Sequence, residues 1–197
     1  MASERLGIFG GTFDPPHIGH LVTAVNVRHE LRLDRVLLVV NNVPWQKVSS
    51  RAISPVQDRL AMVEAAVAGV EGLEASRIEI DAGGLSYTAD TLAALRIEAP
   101  ERALFLILGA DAAAGLPTWE RVEEVRDLAT VVAVARPGVA EVAPLPGWRW
   151  ERVEVPRLDV SSTDLRERAR DGRPLDYLVA REVAACISQR GLYRADQ

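Results

Sequence analysis

Residues 10–20 read Gly10-Gly11-Thr12-Phe13-Asp14-Pro15-Pro16-His17-Ile18-Gly19-His20. The stretch follows a short apolar run at 6–9 and leads into a helical pattern at Leu21. A glycine pair at the end of a strand lets the backbone approach a ligand closely, because no Cβ intervenes. Two of the chain's three histidines, His17 and His20, sit where the helix begins; the third is His29. A helix start presents unpaired N–H groups and the positive end of the dipole, which suits an anion. Strand, glycines, histidines and helix in this order describe a place where a polyphosphate is held and its charge neutralised.

The flanking sequence continues the alternation. Residues 35–40, 103–108 and 130–135 read as strands and are apolar apart from Arg35 and Thr130 at their starts, as strands covered on both faces are. Ser54-Pro55-Val56-Gln57 reads as a helix start, with Ser54 at the N-cap, Pro55 at the first helical position and Gln57 at the third. That helix is expected to run to about Gly69. Residues 76–80 alternate like a strand, 88–97 and 122–128 read as helices, and 152–155 as a last strand. The proline- and glycine-rich stretch 136–150 is a loop. Ser162 is expected to cap a helix over 163–170, and 178–189 closes the chain as another. Strands and helices in alternation predict an α/β fold, a mostly parallel sheet flanked by helices. Its ligand belongs at the carboxyl ends of the strands, near the switch in strand order, where the glycine pair lies.

A length of 197 residues predicts a single domain, 1–197. The 48% hydrophobic share supplies an ample core. A net charge of −5 and a pI near 5.3 disfavour a protein that coats nucleic acid, so a polyanion must be met at a local site. The lone Cys186 cannot form an internal disulfide and reads as a small buried helix residue, which fits a reducing cytoplasm. Residues 1–5 lack a signal-peptide shape, and the longest apolar run, 103–110, is far short of the ~20 residues that span a bilayer. A soluble, cytoplasmic chain with neither nucleic acid nor membrane as partner is expected; self-association into a homo-oligomer stays open. Of the 23 basic side chains, lysine supplies one, Lys47, and arginine the other 22. A lone lysine in an arginine-using chain reads either as drift that spared one site or as a position that needs a flexible ammonium rather than a planar guanidinium.

The His17-x-x-His20 pair has metal, structural and phosphate readings. Metal ligation needs three or more suitable ligands, and neither a cysteine cluster nor a zincin glutamate is present. Phosphate contact is favoured, because imidazole donates to phosphoryl oxygens and does so more strongly as charge builds. Ser161-Ser162 ahead of a helix, with Arg166 one turn in, offers hydroxyls, free N–H groups and a guanidinium to the same kind of anion.

Residues 10–20 resemble the signature of the HxGH nucleotidyltransferase superfamily, and Val160-Ser161-Ser162-Thr163-Asp164-Leu165-Arg166 is similar to its Ile-Ser-Ser-Thr-x-x-Arg element. Within that superfamily, Ser86-Tyr87-Thr88-Ala89-Asp90-Thr91-Leu92, Leu108-Gly109-Ala110-Asp111 followed by Trp119, and Arg136-Pro137-Gly138 resemble nicotinate-nucleotide adenylyltransferases over nearly the whole chain. The resemblance implies a Rossmann-like, doubly wound α/β protein that joins ATP and nicotinate mononucleotide, in NAD biosynthesis. It implies that His17, His20, Lys47 and Arg166 meet the phosphates and carry catalysis. Gly10, Gly11, Thr12 and Phe13 would line the ATP cleft and Asp111 would bind the ribose, although Asp111 also suits an N-cap before Ala112-Ala113-Ala114. Ser161, Ser162 and Thr163 would hold the triphosphate, so that the helical part from about 160 to 197 completes the ATP site. Tyr87, Thr88, Trp119, Glu120, Arg136 and Trp45 would surround the mononucleotide, with Trp119 stacked on the pyridine ring. No metal-binding side chains are implied; Mg²⁺ arrives on the ATP phosphates. Val43-Pro44-Trp45-Gln46-Lys47 departs from the family's Pro-His-Lys element by keeping the lysine and replacing the histidine.

The rivals are a related enzyme with another acceptor, such as phosphopantetheine or nicotinamide mononucleotide, a cytidylyltransferase, and a nucleotide-binding sensor without turnover. A dehydrogenase is weaker, since Gly10-Gly11 lacks the Gly-x-Gly-x-x-Gly spacing.

Overall fold

The computed structural model describes residues 3–43, 53–135 and 143–194. Their framework is one six-stranded sheet in the order β3-β2-β1-β4-β5-β6, parallel at every pairing. The strands are β1 (Arg5–Gly11), β2 (Arg35–Val40), β3 (Leu73–Ser76), β4 (Ala103–Gly109), β5 (Ala129–Ala135) and β6 (Trp150–Glu154). The chain winds outward from β1 to β3, returns to β4 beside β1, and winds outward again to β6. Strand order therefore reverses between β1 and β4, the place where ligands of such folds bind. The helices are α1 (Ile18–Glu30), α2 (Val56–Val67), α3 (Ile78–Ala82), α4 (Thr88–Glu98), α5 (Ala110–Gly115), α6 (Val122–Leu128), α7 (Ser162–Arg170) and α8 (Arg181–Gln189). The expected α/β, Rossmann-like architecture is the one observed, with every described strand pair parallel rather than most of them.

The uniformly apolar strands follow from two covered faces. Successive side chains point to opposite sides of a strand. Val36, Leu38 and Val40 of β2, Phe105 and Ile107 of β4, and Val132 and Val134 of β5 enter one core layer. Their neighbours Leu37, Val39, Leu104, Leu106, Leu108, Val131 and Ala133 enter the other. A third cluster packs Met62 and Ala66 of α2 against Leu165 of α7 and Val183 and Ile187 of α8, and it fastens the last helices to the body.

Several expectations are corrected at element ends. Residues 76–80 are not a strand: β3 ends at Ser76, and α3 begins at Ile78. Two isoleucines two apart fit a strand's alternation, but the short helix sends Ile80 to one core layer and Ile78 to the other. α2 starts after Pro55, which holds the N-cap position, because the Ser54 backbone is engaged elsewhere: its carbonyl accepts from Arg59 at 3.0 Å. Its end comes at Val67, short of Gly69. Ser161, not Ser162, caps α7, its Oγ accepting from the Asp164 N–H at 3.2 Å. α8 begins at Arg181 rather than at 178, since Ala180 holds an extended ψ of 148° as the N-cap residue, so the helix starts only after it. Gly109 is the N-cap residue of α5, so Asp111 lies inside the first turn.

Candidate active site

The carboxyl ends of β1, β2 and β4 open into a cleft of about 260 Å³. Ile8, Leu106 and Leu108 form its floor, with Gly10, Gly11 and Thr12 along one rim. The facing walls are Ser86, Tyr87, Thr88 and Thr91 at the head of α4, and Ala112, Trp119 and Glu120 beyond β4. A Cβ added at Gly10 would meet nothing within 4 Å, so the space it would occupy is open cleft. Arg121 ties the two walls together. Its guanidinium bonds Asp90 at 2.6 Å and lies 5.9 Å from the centre of the Tyr87 ring. α4 begins at Thr88 on the wall of this cleft, and a helix start favours an anionic group.

Beyond Thr12 the chain turns through Phe13, which has a left-handed φ of 48° and is only 3% exposed. The Phe13 ring lies 5.1 Å from the His20 ring in an edge-on arrangement and packs into the core, so Phe13 supports the histidines rather than lining the cleft. His17 is the N-cap residue of α1 and His20 stands one turn along. The two imidazoles stack with centres 3.8 Å apart. The His17 backbone N–H donates to Nδ1 of His20 at 3.1 Å, so that nitrogen is the unprotonated one and Nε2 carries the proton.

The late serine-rich turn reaches the same loop. Arg166 Nη1 donates to the Asp14 carbonyl at 2.8 Å, three residues before His17, and Nη2 donates to Thr163 Oγ1 at 3.0 Å. The Ser162 hydroxyl donates to the Pro15 carbonyl at 2.8 Å. Two segments some 150 residues apart thus form one cluster of imidazoles, hydroxyls and guanidinium. Asp111 lies exposed on α5 beside the cleft wall residue Ala112. Trp45, Lys47 and Arg136 lie outside the described residues.

Several residues at the site carry no sequence motif. Arg59 of α2 is 2% exposed and donates to the carbonyls of Thr12 (3.1 Å), Asn41 (2.7 Å) and Asn42 (3.0 Å), binding the loops after β1 and β2 into one unit. Glu79, also buried, accepts from Asn41 Nδ2 at 2.9 Å and from Thr91 Oγ1 at 2.8 Å at the back of the cleft. A helical arginine or glutamate looks like solvated surface in a sequence; only its neighbours in space reveal the task. Among the described residues, no group of three or more His, Cys, Asp or Glu is placed to hold a metal ion. Among the same residues, no helix is long and apolar enough to cross a membrane.

Residues 8–168 match the family model described as cytidylyltransferase-like. A protein of Mycolicibacterium vanbaalenii named probable nicotinate-nucleotide adenylyltransferase is 43% identical over 98% of this chain and 94% of its own. A Corynebacterium kroppenstedtii protein of the same name is 47% identical over 96% and 90%. The chain belongs to the nicotinate-nucleotide adenylyltransferase family. The fold is shared with Plasmodium falciparum nicotinic acid mononucleotide adenylyltransferase, solved in complex with NaAD: TM-score 0.79, 15% identity, 96% of this chain and 97% of that one. Membership makes the chain a nucleotidyltransferase.

Proposed function

We propose that this member of the family transfers the adenylyl group of ATP to nicotinate mononucleotide, releasing pyrophosphate and forming nicotinate adenine dinucleotide. The observation that carries this reading is a cleft that leads directly into the histidine loop. The Tyr87–Thr88 helix start and Trp119 wall the cleft, Gly10, Gly11 and Thr12 rim it, and from Thr12 the chain runs on into the loop that carries the stacked His17 and His20 and that Arg166 holds at Asp14.

In the reaction a phosphate oxygen of the mononucleotide attacks the α-phosphorus of ATP. The new P–O bond forms as the bond to the bridging oxygen breaks, and pyrophosphate leaves with that electron pair. A phosphate monoester has a second pKa near ~6, so the nucleophile is ionised at neutral pH and needs no general base. The protein's work is to align two anions and stabilise the charge that moves between them. His20 presents Nε2–H to a phosphoryl oxygen, the tautomer fixed by its bond from the His17 N–H. His17, Arg166 and Lys47 share the polyphosphate, with the hydroxyls of Ser161 and Thr163 and the α7 start beside them. Ser162 contributes by holding the Pro15 carbonyl. Gly10, Gly11 and Thr12 let the nucleotide backbone come close, and Asp111 accepts from its ribose hydroxyls.

Trp119 stacks on the pyridine ring, and the N–H groups near Thr88 and Glu120 meet the nicotinate carboxylate, with Tyr87, Arg136 and Trp45 around the mononucleotide. Mg²⁺ carried by the ATP phosphates neutralises charge on the polyphosphate. The protein works in the cytoplasm as a single domain, with the part from 160 onward closing the ATP site.

Pyrophosphate release tests the reading. With ATP and Mg²⁺, nicotinate mononucleotide should support turnover at least tenfold better than nicotinamide mononucleotide, since a helix start favours the charged carboxylate over the neutral amide. No release with nicotinate mononucleotide, or faster release with phosphopantetheine, overturns it.

A further inference from the structure

The Asp14 side chain lies at the root of the histidine loop, 1% exposed. Its Oδ1 accepts from the Tyr193 hydroxyl at 2.7 Å, a partner 179 positions away in the chain. Oδ2 receives the Ser54 N–H at 3.5 Å, a much longer contact. The Asp14 carbonyl accepts from Arg166, the Pro15 carbonyl from Ser162, and the Ile18 N–H donates to the Leu178 carbonyl at 2.9 Å. The loop that starts α1 is therefore gripped at several points by the final segment of the chain. Tyr193 is the point of grip furthest along, and the adenylyl-transfer reading gives it no role.

The Tyr193 ring packs with Met62 and Leu165 in the cluster between α2 and the last helices. Its backbone has a left-handed φ of 65°, a strained choice for a side chain with a Cβ. Such strain persists where the surroundings fix the residue. Burial, reinforced by the charge of Asp14, pushes the phenol far above its ordinary range. The hydroxyl stays protonated and donates to the carboxylate throughout the working pH range, a short charge-assisted bond.

We infer that Tyr193 is a positioning residue: by holding the Asp14 carboxylate, its hydroxyl sets the turn that aims His17 and His20 at the transferring phosphate. The kinetic half of this inference rests on the adenylyl-transfer reading; the half concerning loop order does not.

Tyr193→Phe removes one oxygen and keeps the ring. Its kcat should fall roughly tenfold to a hundredfold, the cost of catalytic groups misplaced by a fraction of an ångström. KM for nicotinate mononucleotide should stay within twofold, because Trp119 and Thr88 line the cleft and are not in the loop that Tyr193 holds. Amide hydrogen exchange of residues 12–20 should quicken at least tenfold while β4 and β5 keep their protection. Unchanged exchange overturns the inference. So does quickened exchange with kcat within twofold of the parent, since the tie would then be structural alone. Asp14→Asn keeps the shape and weakens the bond by removing its charge, so kcat should drop about threefold. The double variant should be no slower than Tyr193→Phe; multiplied losses sink the proposal. Should Tyr193→Phe fail to fold, a normal kcat for Asp14→Asn overturns the inference by itself. If the parent makes no nicotinate adenine dinucleotide, the functional reading falls while hydrogen exchange still decides whether Tyr193 orders the loop.

Discussion

The two ends of the sheet use polar residues in opposite ways. At the amino end, Glu4 receives Arg35 and Arg102 at 2.7 Å each, Arg35 also bonds Glu74 at 2.8 Å, and Asp34 receives the Arg5 N–H at 2.7 Å. Here charges are matched within the protein. At the carboxyl end, Arg59 bonds backbone carbonyls, Arg166 bonds the Asp14 carbonyl and the Thr163 hydroxyl, Gly10 leaves space, and the start of α4 lies on the cleft wall. The first arrangement stabilises the fold. The second fixes loops while leaving hydrogen-bonding capacity for an anionic ligand. One sheet thus separates stability from chemistry along the length of its strands.

Substitutions at each end should break or sharpen this contrast. The largest effect belongs to His20→Ala. Loss of one charge-stabilising donor costs ~10²–10³ in turnover, with a melting temperature within a few degrees of the parent because His20 is not a core residue. Near-normal turnover in steady-state assays would erase the carboxyl end's claim to the chemistry.

Two glycines of β1 give a sharper comparison. A Cβ at Gly7 would lie 2.9 Å from Val36, 3.0 Å from Leu33 and 3.1 Å from Ile107. Gly7→Ala should therefore cost about 1–3 kcal/mol by overpacking, with kcat per folded molecule unchanged. Gly10→Ala meets open space, so denaturation curves should overlay the parent while kcat/KM for ATP falls about tenfold, because the methyl group intrudes where the ligand approaches. If both variants lose stability alike, the contrast fails.

Trp119→Ala should raise KM for the mononucleotide roughly tenfold, the worth of one aromatic stack with its buried area, and change KM for ATP little. Equal changes in both constants would remove Trp119 from the mononucleotide site.

The smallest effect is expected at Glu4. Its burial opposes ionisation, but the hydrogen bonds and charges of Arg35 and Arg102 outweigh that and hold the carboxyl below its ordinary range. A depressed folded-state pKa contributes stability above the unfolded value, near ~4.3, and loses it as pH falls through the folded one. Glu4→Gln should destabilise by about 1 kcal/mol at neutral pH, a figure held down by partial solvent exposure. The gap from the parent should close as pH drops below about 4. Thermal melts across that range read it directly, and turnover should be untouched.

The strands of the core were legible because residues buried on two faces must be apolar in an unbroken run; β2 was readable to the residue, and β4 and β5 to within one. The histidine loop and the serine-rich turn were legible because glycines, imidazoles and capping hydroxyls at fixed spacing have few other uses. Less was visible where a side chain's meaning lies in distant neighbours. Glu79 falls in the stretch 76–80 expected as a strand, and it is a buried helical acceptor for Asn41 and Thr91. Arg59 and Tyr193 belong to no motif in the sequence, and their tasks are set by partners 17 to 179 positions away.

Sequence alone determined the alternation of strands and helices and the position of the glycine- and histidine-bearing turn after β1, since each follows from local patterns of polarity and backbone freedom; the pairing of that turn with the region around Arg166 was implied by the resemblance to the HxGH nucleotidyltransferases. Tertiary structure alone decided which buried polar groups hold the loops, where α3 replaces an expected strand, and that the chain's final tyrosine reaches back to Asp14. Those are contacts between residues tens to nearly two hundred positions apart, and their energies depend on burial and distance, which no local pattern encodes.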